Sequence, residues 1–203
     1  EQSVVSRGLL RLLLAARLHG TAPERVLSDT SLRATAARLV LATGPHGRPE
    51  LADPPHEALA FNVSHSADLA VFAFAEGGGL GVDIERVRDD VDFLGVGRRF
   101  FSDVEHAVLS AEPDAARPLA FFRCWTRKES YLKARGTGLA LPLAGFDVTL
   151  HPDHPPRLLA TRFDPEDAGR WALAEFHPAR GYVGAVCREG AAPRVDLRPL
   201  VLA

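Results

Sequence analysis

The chain has 203 residues, of which 46% are hydrophobic and 25% charged, with a formal net charge of −2. That composition suits a globular protein with its own core and excludes disorder or a collagen-like architecture for the bulk of it. The near-neutral charge lacks the basic excess of a nucleic-acid binder.

No apolar run reaches the roughly 18 residues of a membrane span, since Arg11 interrupts the greasiest stretch, Leu9–Leu14. Two cysteines, Cys124 and Cys187, make no disulfide framework, so a reducing cytoplasm is expected. The chain starts at Glu1 and has no methionine, so a preceding segment is expected to be missing.

Val4–His19 reads as an amphipathic to buried helix stopped by Gly20. Thr21-Ala22-Pro23-Glu24 resembles a capping box that opens a short second helix. Gly44–Pro49 is a turn cluster. Leu59–Val63 is a strand running into Ser64-His65-Ser66, Leu69–Ala75 a second, and Leu80–Val87 a third, after the break at Gly77–Gly79. Arg88–Gly97, charged and glycine-containing, reads as a mobile loop. Ser102-Asp103-Val104-Glu105 is a capping box for a helix to about Ala111. Leu119–Arg135 is a long helix after Pro118, closed by Gly136. Phe146–Leu150, Trp171–His177 and Tyr182–Arg188 read as strands. The order helix, helix, strand, strand recurs loosely on each side of Gly77–Gly79, which predicts an α+β fold of two halves, 1–79 and 80–203.

Four segments carry candidate chemistry. On a strand, residues i and i+2 share a face about 6.5–7 Å apart. Asp83 and Glu85 of Gly81-Val82-Asp83-Ile84-Glu85 therefore project together as an exposed pair, with Val82 and Ile84 toward the core. Two carboxylates on one face suit a hard divalent ion; a solvated strand edge is the plainer alternative. In Trp125-Thr126-Arg127-Lys128-Glu129-Ser130-Tyr131-Leu132-Lys133, helical spacing aligns Trp125, Glu129 and Lys133 in one stripe, with Trp125 its buried end. A surface Glu129–Lys133 pair, worth roughly 0.3–0.5 kcal/mol, is the alternative. Asn62-Val63-Ser64-His65-Ser66 ends a strand with an imidazole and hydroxyls that suit a phosphate, or else form a local turn. Arg48, on the rigid Gly47-Arg48-Pro49 turn, is a candidate phosphate cation or a solvated side chain. Arginine supplies 22 of the 24 basic residues, and the rare Lys128, Lys133, Ile84 and Asn62 all fall in these segments.

Taken in order, G-R-P, F-N-V-S-H-S, G-V-D-I-E and W-T-R-K-E-S-Y-L-K-A-R-G-T-G-L resemble the 4′-phosphopantetheinyl transferases, in their larger, Sfp-type monomeric branch. The resemblance runs from about Leu9 to Val148. It implies two similar halves about a pseudo-twofold axis, with coenzyme A in the cleft between them. It implies magnesium-dependent transfer of phosphopantetheine from coenzyme A to a serine of an acyl or peptidyl carrier protein, releasing 3′,5′-ADP. Asp83, Glu85 and Glu129 match the metal carboxylates, with manganese an alternative to magnesium. Lys133 matches the pyrophosphate lysine, and Glu129 is the expected base, with Glu85 second. Arg48, Asn62, Ser64 and His65 match the nucleotide-binding positions, His65 near the 3′-phosphate. Glu105 matches a position near the site, although its capping role explains it equally well. The family has a basic helix and a strand upstream of the first helix here. Carrier docking is expected on Arg88–Arg99, with Phe93 or Leu94 as anchor and Arg98 and Arg99 as charges. The implied protein is a cytoplasmic monomer that binds neither nucleic acid nor membrane. A magnesium-dependent nuclease using the same carboxylates is the rival, disfavoured by the charge. A catalytically degenerate carrier-binding module is a second rival, disfavoured by the intact acidic positions.

Overall fold

The structure, a computed structural model, describes residues 2–22, 25–44, 49–52, 59–138 and 141–200. It is mixed α and β and divides into two compact units, Glu1–His56 with Asp196–Ala203, and Glu57–Val195. Among the described residues, no helix is long and apolar enough to cross a membrane.

In the first unit, α1 (Gln2–Leu18) ends before Gly20, whose φ of +65° suits a residue without a Cβ. Helix α2 (Ser31–Arg38) buries only Leu32 and Ala36, one i,i+4 pair, which is why periodicity does not announce it. Of the segment read as a capping box, Pro23 and Glu24 lie outside the described residues, and the next α-helix among the described residues is α2. The Asp29 carboxylate accepts from Ser31 N at 3.0 Å and Ser31 Oγ at 2.6 Å. Ala15, Ala16, Val26, Leu32 and Ala36 form this unit's core. Strands β1 (Leu41–Thr43) and β2 (Pro49–Leu51) pair antiparallel, and residues 45–48 of the turn cluster lie outside the described residues.

The second unit begins with an antiparallel hairpin, β3 (Leu59–Ser66) and β4 (Leu69–Glu76), closed by a two-residue turn with Ala67 at φ +51°. Next come β5 (Leu80–Arg86), helices α3 (Phe93–Phe100), α4 (Asp103–Ala111) and α5 (Arg117–Arg135), and the hairpin β6 (Phe146–Val148) with β7 (Leu158–Thr161). The short α6 (Asp167–Arg170) leads into β8 (Trp171–Phe176) and β9 (Tyr182–Glu189). Strands β5, β9 and β8 form an antiparallel sheet in that order, with Asp83 opposite Ala185 and Ala185 opposite Glu175. The main core gathers Phe101, Leu109, Phe121, Leu132, Phe146 and Val183 among others. Leu80, Val82 and Ile84 pack on the sheet's other face with Phe176 and Val186.

The segment read as a mobile loop is helical from Phe93. Its charges and two glycines suggest a loop, but Asp92 caps the helix by accepting from Gly95 N at 2.9 Å. The Phe93 ring also lies against Phe121 and Phe122, at 5.3 and 6.2 Å between centroids. The α4 capping box forms as read, Ser102 with Glu105.

Helix α5 crosses β5 at Gly81. A Cβ there would lie 2.1 Å from Ser130 O and 2.3 Å from Ala134 N, which are backbone atoms that cannot step aside. Only glycine permits that approach. Gly81→Ala should therefore lower the unfolding free energy by about 1–3 kcal/mol, at the upper end of that range. Gly169→Ala, where nothing lies within 4 Å, should stay within about 0.5 kcal/mol of wild type. Denaturant midpoints of the two variants check this; equal midpoints would show that the crossing tolerates a methyl.

Candidate active site

The site is built from β3, β5 and α5, all in the second unit. One edge of β5 pairs with β9 through the backbone. Along the other edge, β3 supplies side chains. Asn62 Oδ1 accepts from Val82 N at 3.1 Å, Ser64 Oγ from Ile84 N at 3.3 Å, and Ser66 Oγ from Arg86 N at 3.1 Å. Alternate β3 residues thus meet alternate β5 amides, as the period of two requires.

Asp83 is buried, at 5% exposure, where the sequence reading has an exposed carboxylate. It lies on the face of β5 that α5 covers. Its Oδ1 accepts from Lys133 Nζ at 2.7 Å and from Ser64 Oγ at 2.8 Å. Its Oδ2 is buried without a hydrogen-bond partner. Burial pushes its carboxyl up, opposed first by the Lys133 charge. Glu85 is half-buried, and its Oε2 accepts from Ser66 Oγ at 2.6 Å. Burial also raises Glu85; the Ser66 hydrogen bond opposes this and the Asp83 charge adds to it. Glu129, half-buried on α5, is raised by burial and then by Asp83, with a further contribution from Glu85.

Three faces of α5 explain how Glu129 and Lys133 are aimed. Ser130 and Ala134 abut Gly81. Arg123 and Arg127 hold Glu175 at 3.1 and 2.6 Å, and Arg135 holds the buried Asp167 at 2.6 Å. Tyr131 Oη and Trp171 Nε1 also donate to Asp167, at 2.5 and 3.1 Å. Although burial alone would raise Glu175, Arg127 and Arg123 hold it below the ordinary carboxylate value. The third face carries Trp125, Glu129 and Lys133, each half-buried. Trp125 is stacked on Phe121 at 5.9 Å and is less buried than its reading as the buried end of the stripe. Lys133 Nζ also donates to Val82 O at 3.1 Å and Ser64 Oγ at 3.2 Å, so its pairing reaches β5 and is more than a surface i,i+4 contact.

The structure therefore brings together Asp83, Glu85, Glu129, Lys133 and Ser64, with Asn62 two residues along the same strand face. His65 is exposed and points to the opposite face of β3. Arg48 lies outside the described residues. On α3, Leu94 is 37% exposed and Arg98 and Arg99 are exposed, whereas Phe93 is half-buried against the core. Glu105 is buried; besides closing the capping box it accepts from Val148 N at 2.7 Å and pairs with Lys128 Nζ at 2.7 Å. Lys128 also donates to Leu143 O and Phe146 O at 2.7 and 2.6 Å, which satisfies all three of its protons.

Sequence reasoning named Ser66 only among the hydroxyls at the end of the strand and missed its pairing with Glu85. The available signal was the match of N-x-S-x-S to V-x-I-x-R at equal spacing. It also left unassigned the buried Lys128, whose rarity alone marked it.

Among the described residues, no three His, Cys, Asp or Glu side chains form a ready metal-holding group. The all-carboxylate donor set and the orphaned Asp83 Oδ2 nevertheless fit a hard, oxygen-seeking cation. Without one, folding opposes charge on Glu129, because its folded pKa lies above the unfolded value. Glu129→Gln should therefore raise the melting temperature in EDTA at neutral pH. That gain should close as pH falls through the raised folded value and the wild-type carboxyl takes up its proton. A melting difference independent of pH would show that Glu129 is not the destabilising charge.

The 4′-phosphopantetheinyl transferase superfamily model matches residues 79–187. The 4′-phosphopantetheinyl transferase HetI of Nostoc sp. is 35% identical over 185 residues, covering 91% of this chain and 69% of that protein. The 4′-phosphopantetheinyl transferase Sfp of Bacillus subtilis is 30% identical over 175 residues, covering 77% and 75%. A solved holo-acyl-carrier-protein synthase of Helicobacter pylori, in complex with coenzyme A, has a TM-score of 0.42 and 18% identity, covering 55% of this chain and 99% of that one. With the family matched over more than half its length, and HetI and Sfp as relatives, this chain belongs to the 4′-phosphopantetheinyl transferase superfamily and is of the Sfp type.

Proposed function

We propose that the chain transfers the 4′-phosphopantetheine group from coenzyme A to a serine of an acyl or peptidyl carrier protein of polyketide, nonribosomal peptide or fatty-acid synthesis. The observation that carries the reading is the convergence of Asp83, with its orphaned Oδ2, on Lys133 at 2.7 Å, beside Glu85 and Glu129. In the reaction the carrier serine oxygen bonds to the β-phosphorus of coenzyme A. The bond from that phosphorus to the bridging oxygen breaks, and 3′,5′-ADP leaves with the electron pair.

Asp83, Glu85 and Glu129 would hold magnesium, or manganese in its place. The ion, when bound, supplies neutralising charge to the pyrophosphate. Lys133 places a second cation against the charge that develops on the leaving phosphate, where a fixed donor is worth about 10²–10³ in rate. Glu129 accepts the serine proton, and Glu85 is the second candidate for that role. Asn62 and Ser64 hold β3 against β5 at the nucleotide side, and His65, on the accessible face of β3, meets the 3′-phosphate. By the family match alone, Arg48 would be a further cation for the nucleotide's phosphates. The functional division falls between Gly79 and Leu80, with the nucleotide side before it and the metal and carrier side after it. The carrier docks on α3, through Leu94, Arg98 and Arg99, next to Phe93. The protein acts as a cytoplasmic monomer.

Mass spectrometry of an apo-carrier incubated with coenzyme A and magnesium should show the gain of one phosphopantetheine. Asp83→Asn keeps size and hydrogen bonds but loses the charge, and should lower kcat/KM by about 10²-fold or more with little change in fold. A wild-type rate in that variant would sink the assignment.

His65→Ala should weaken coenzyme A by about tenfold or more, as loss of a charge-assisted hydrogen bond does, and should leave 3′-dephospho-coenzyme A little changed. Equal losses for the two ligands would show that His65 serves something other than the 3′-phosphate.

A further inference from the structure

We propose that Ser66 is a positioning residue that fixes the Glu85 carboxylate for metal binding, an inference that rests on the metal reading above. A serine hydroxyl has one proton to give. The Ser66 oxygen accepts from Arg86 N at 3.1 Å, so its proton is directed away from the backbone and onto Glu85 Oε2, 2.6 Å distant. The backbone amide thus orients the hydroxyl, and the hydroxyl orients the carboxylate.

The same arrangement stands two residues earlier. Ser64 Oγ accepts from Ile84 N at 3.3 Å and from Lys133 Nζ at 3.2 Å, and donates to Asp83 Oδ1 at 2.8 Å. Asn62, a further two residues back, meets only the backbone among the described residues, at Val82 N. Asp83 precedes Ile84 and Glu85 precedes Arg86, but the residue before Val82 is Gly81, which carries no carboxylate, so no hydroxyl is needed there. The change from amide to hydroxyl along β3 therefore tracks the appearance of carboxylates along β5. A purely structural edge would be served by an acceptor alone at all three positions. Glu85, longer than Asp83 and less buried, has more rotation to lose, and Ser66 restrains that rotation in advance of the ion. Groups that orient metal ligands in this way change metal affinity by about 10–100-fold when removed.

The test is a Mn2+ titration of the intact chain, read by the electron paramagnetic resonance of free Mn2+, with melting temperatures of the metal-free proteins alongside. Ser66→Ala should raise the Mn2+ dissociation constant about tenfold. Ser66→Thr, which keeps the hydroxyl, should restore wild-type binding. Ser66→Cys, close in size but a weak donor, should fall between them, and it serves as the probe if the alanine variant does not fold. In a Glu85→Gln background the Ser66→Ala change should add nothing further to the dissociation constant. Wild-type Mn2+ affinity in folded Ser66→Ala or Ser66→Cys would overturn the role of Ser66 while leaving the metal reading in place. So would Ser66→Thr binding as weakly as Ser66→Ala. A wild-type protein that binds no Mn2+ would overturn the metal reading, and the role of Ser66 with it.

Discussion

Every buried backbone amide must find an acceptor, and β5 meets that demand unequally on its two sides. Toward β9 it uses an ordinary ladder. Toward β3 it relies on three side chains, Asn62, Ser64 and Ser66. A side chain adds reach between strands, so β3 stands off from β5 while remaining attached to it. The two hydroxyls of that attachment are also the partners of Asp83 and Glu85. Holding the sheet edge together and holding the acidic pair in place are consequently one set of bonds.

Helix α5 answers a second constraint. A helix can slide and turn on a flat sheet unless something fixes it, and here separate charged anchors do so on different faces. Glu105 and the carbonyls around it fix Lys128, Glu175 fixes Arg123 and Arg127, and Asp167 fixes Arg135 with Tyr131. Each anchor is buried or half-buried and shared with another element, α4, β8 or α6. Such pairs add little net stability but strongly disfavour arrangements that would strand a buried charge. With Gly81 admitting the helix backbone to within contact of β5, the result is one rotation and one height for α5. Glu129 and Lys133 inherit both.

Much of this was legible in the sequence where local rules decide. The Ser102–Glu105 box, the Gly136 stop and the apolar runs of β3, β4, β5, β8 and β9 all stand where capping and periodicity put them. The carboxylates Asp83 and Glu85 and the stripe of Trp125, Glu129 and Lys133 were equally visible, because each depends on spacing within one element. Tertiary context decided the rest. Phe93 packs on Phe121 and makes a helix of a charged, glycine-bearing segment. Helix α2 carries too narrow an apolar stripe to be seen, and the short strands β1, β2 and β7 are no longer than a turn of pattern. The burial of Asp83 and Lys128 could not be read from their own neighbourhoods, since their partners lie 50 and 23 residues away in Lys133 and Glu105.

The two lysines have unequal fates. Lys128 is wholly enclosed, whereas the Lys133 side chain keeps 30% of its surface. All other basic side chains of the chain, histidine aside, are arginines. Of the two ammonium groups, the one with access to solvent is therefore the one held by Asp83, Val82 and Ser64 at the site. Lysine-to-arginine economy thus leaves a single solvent-reaching lysine ammonium, and its place is at the acidic cluster instead of on the general surface.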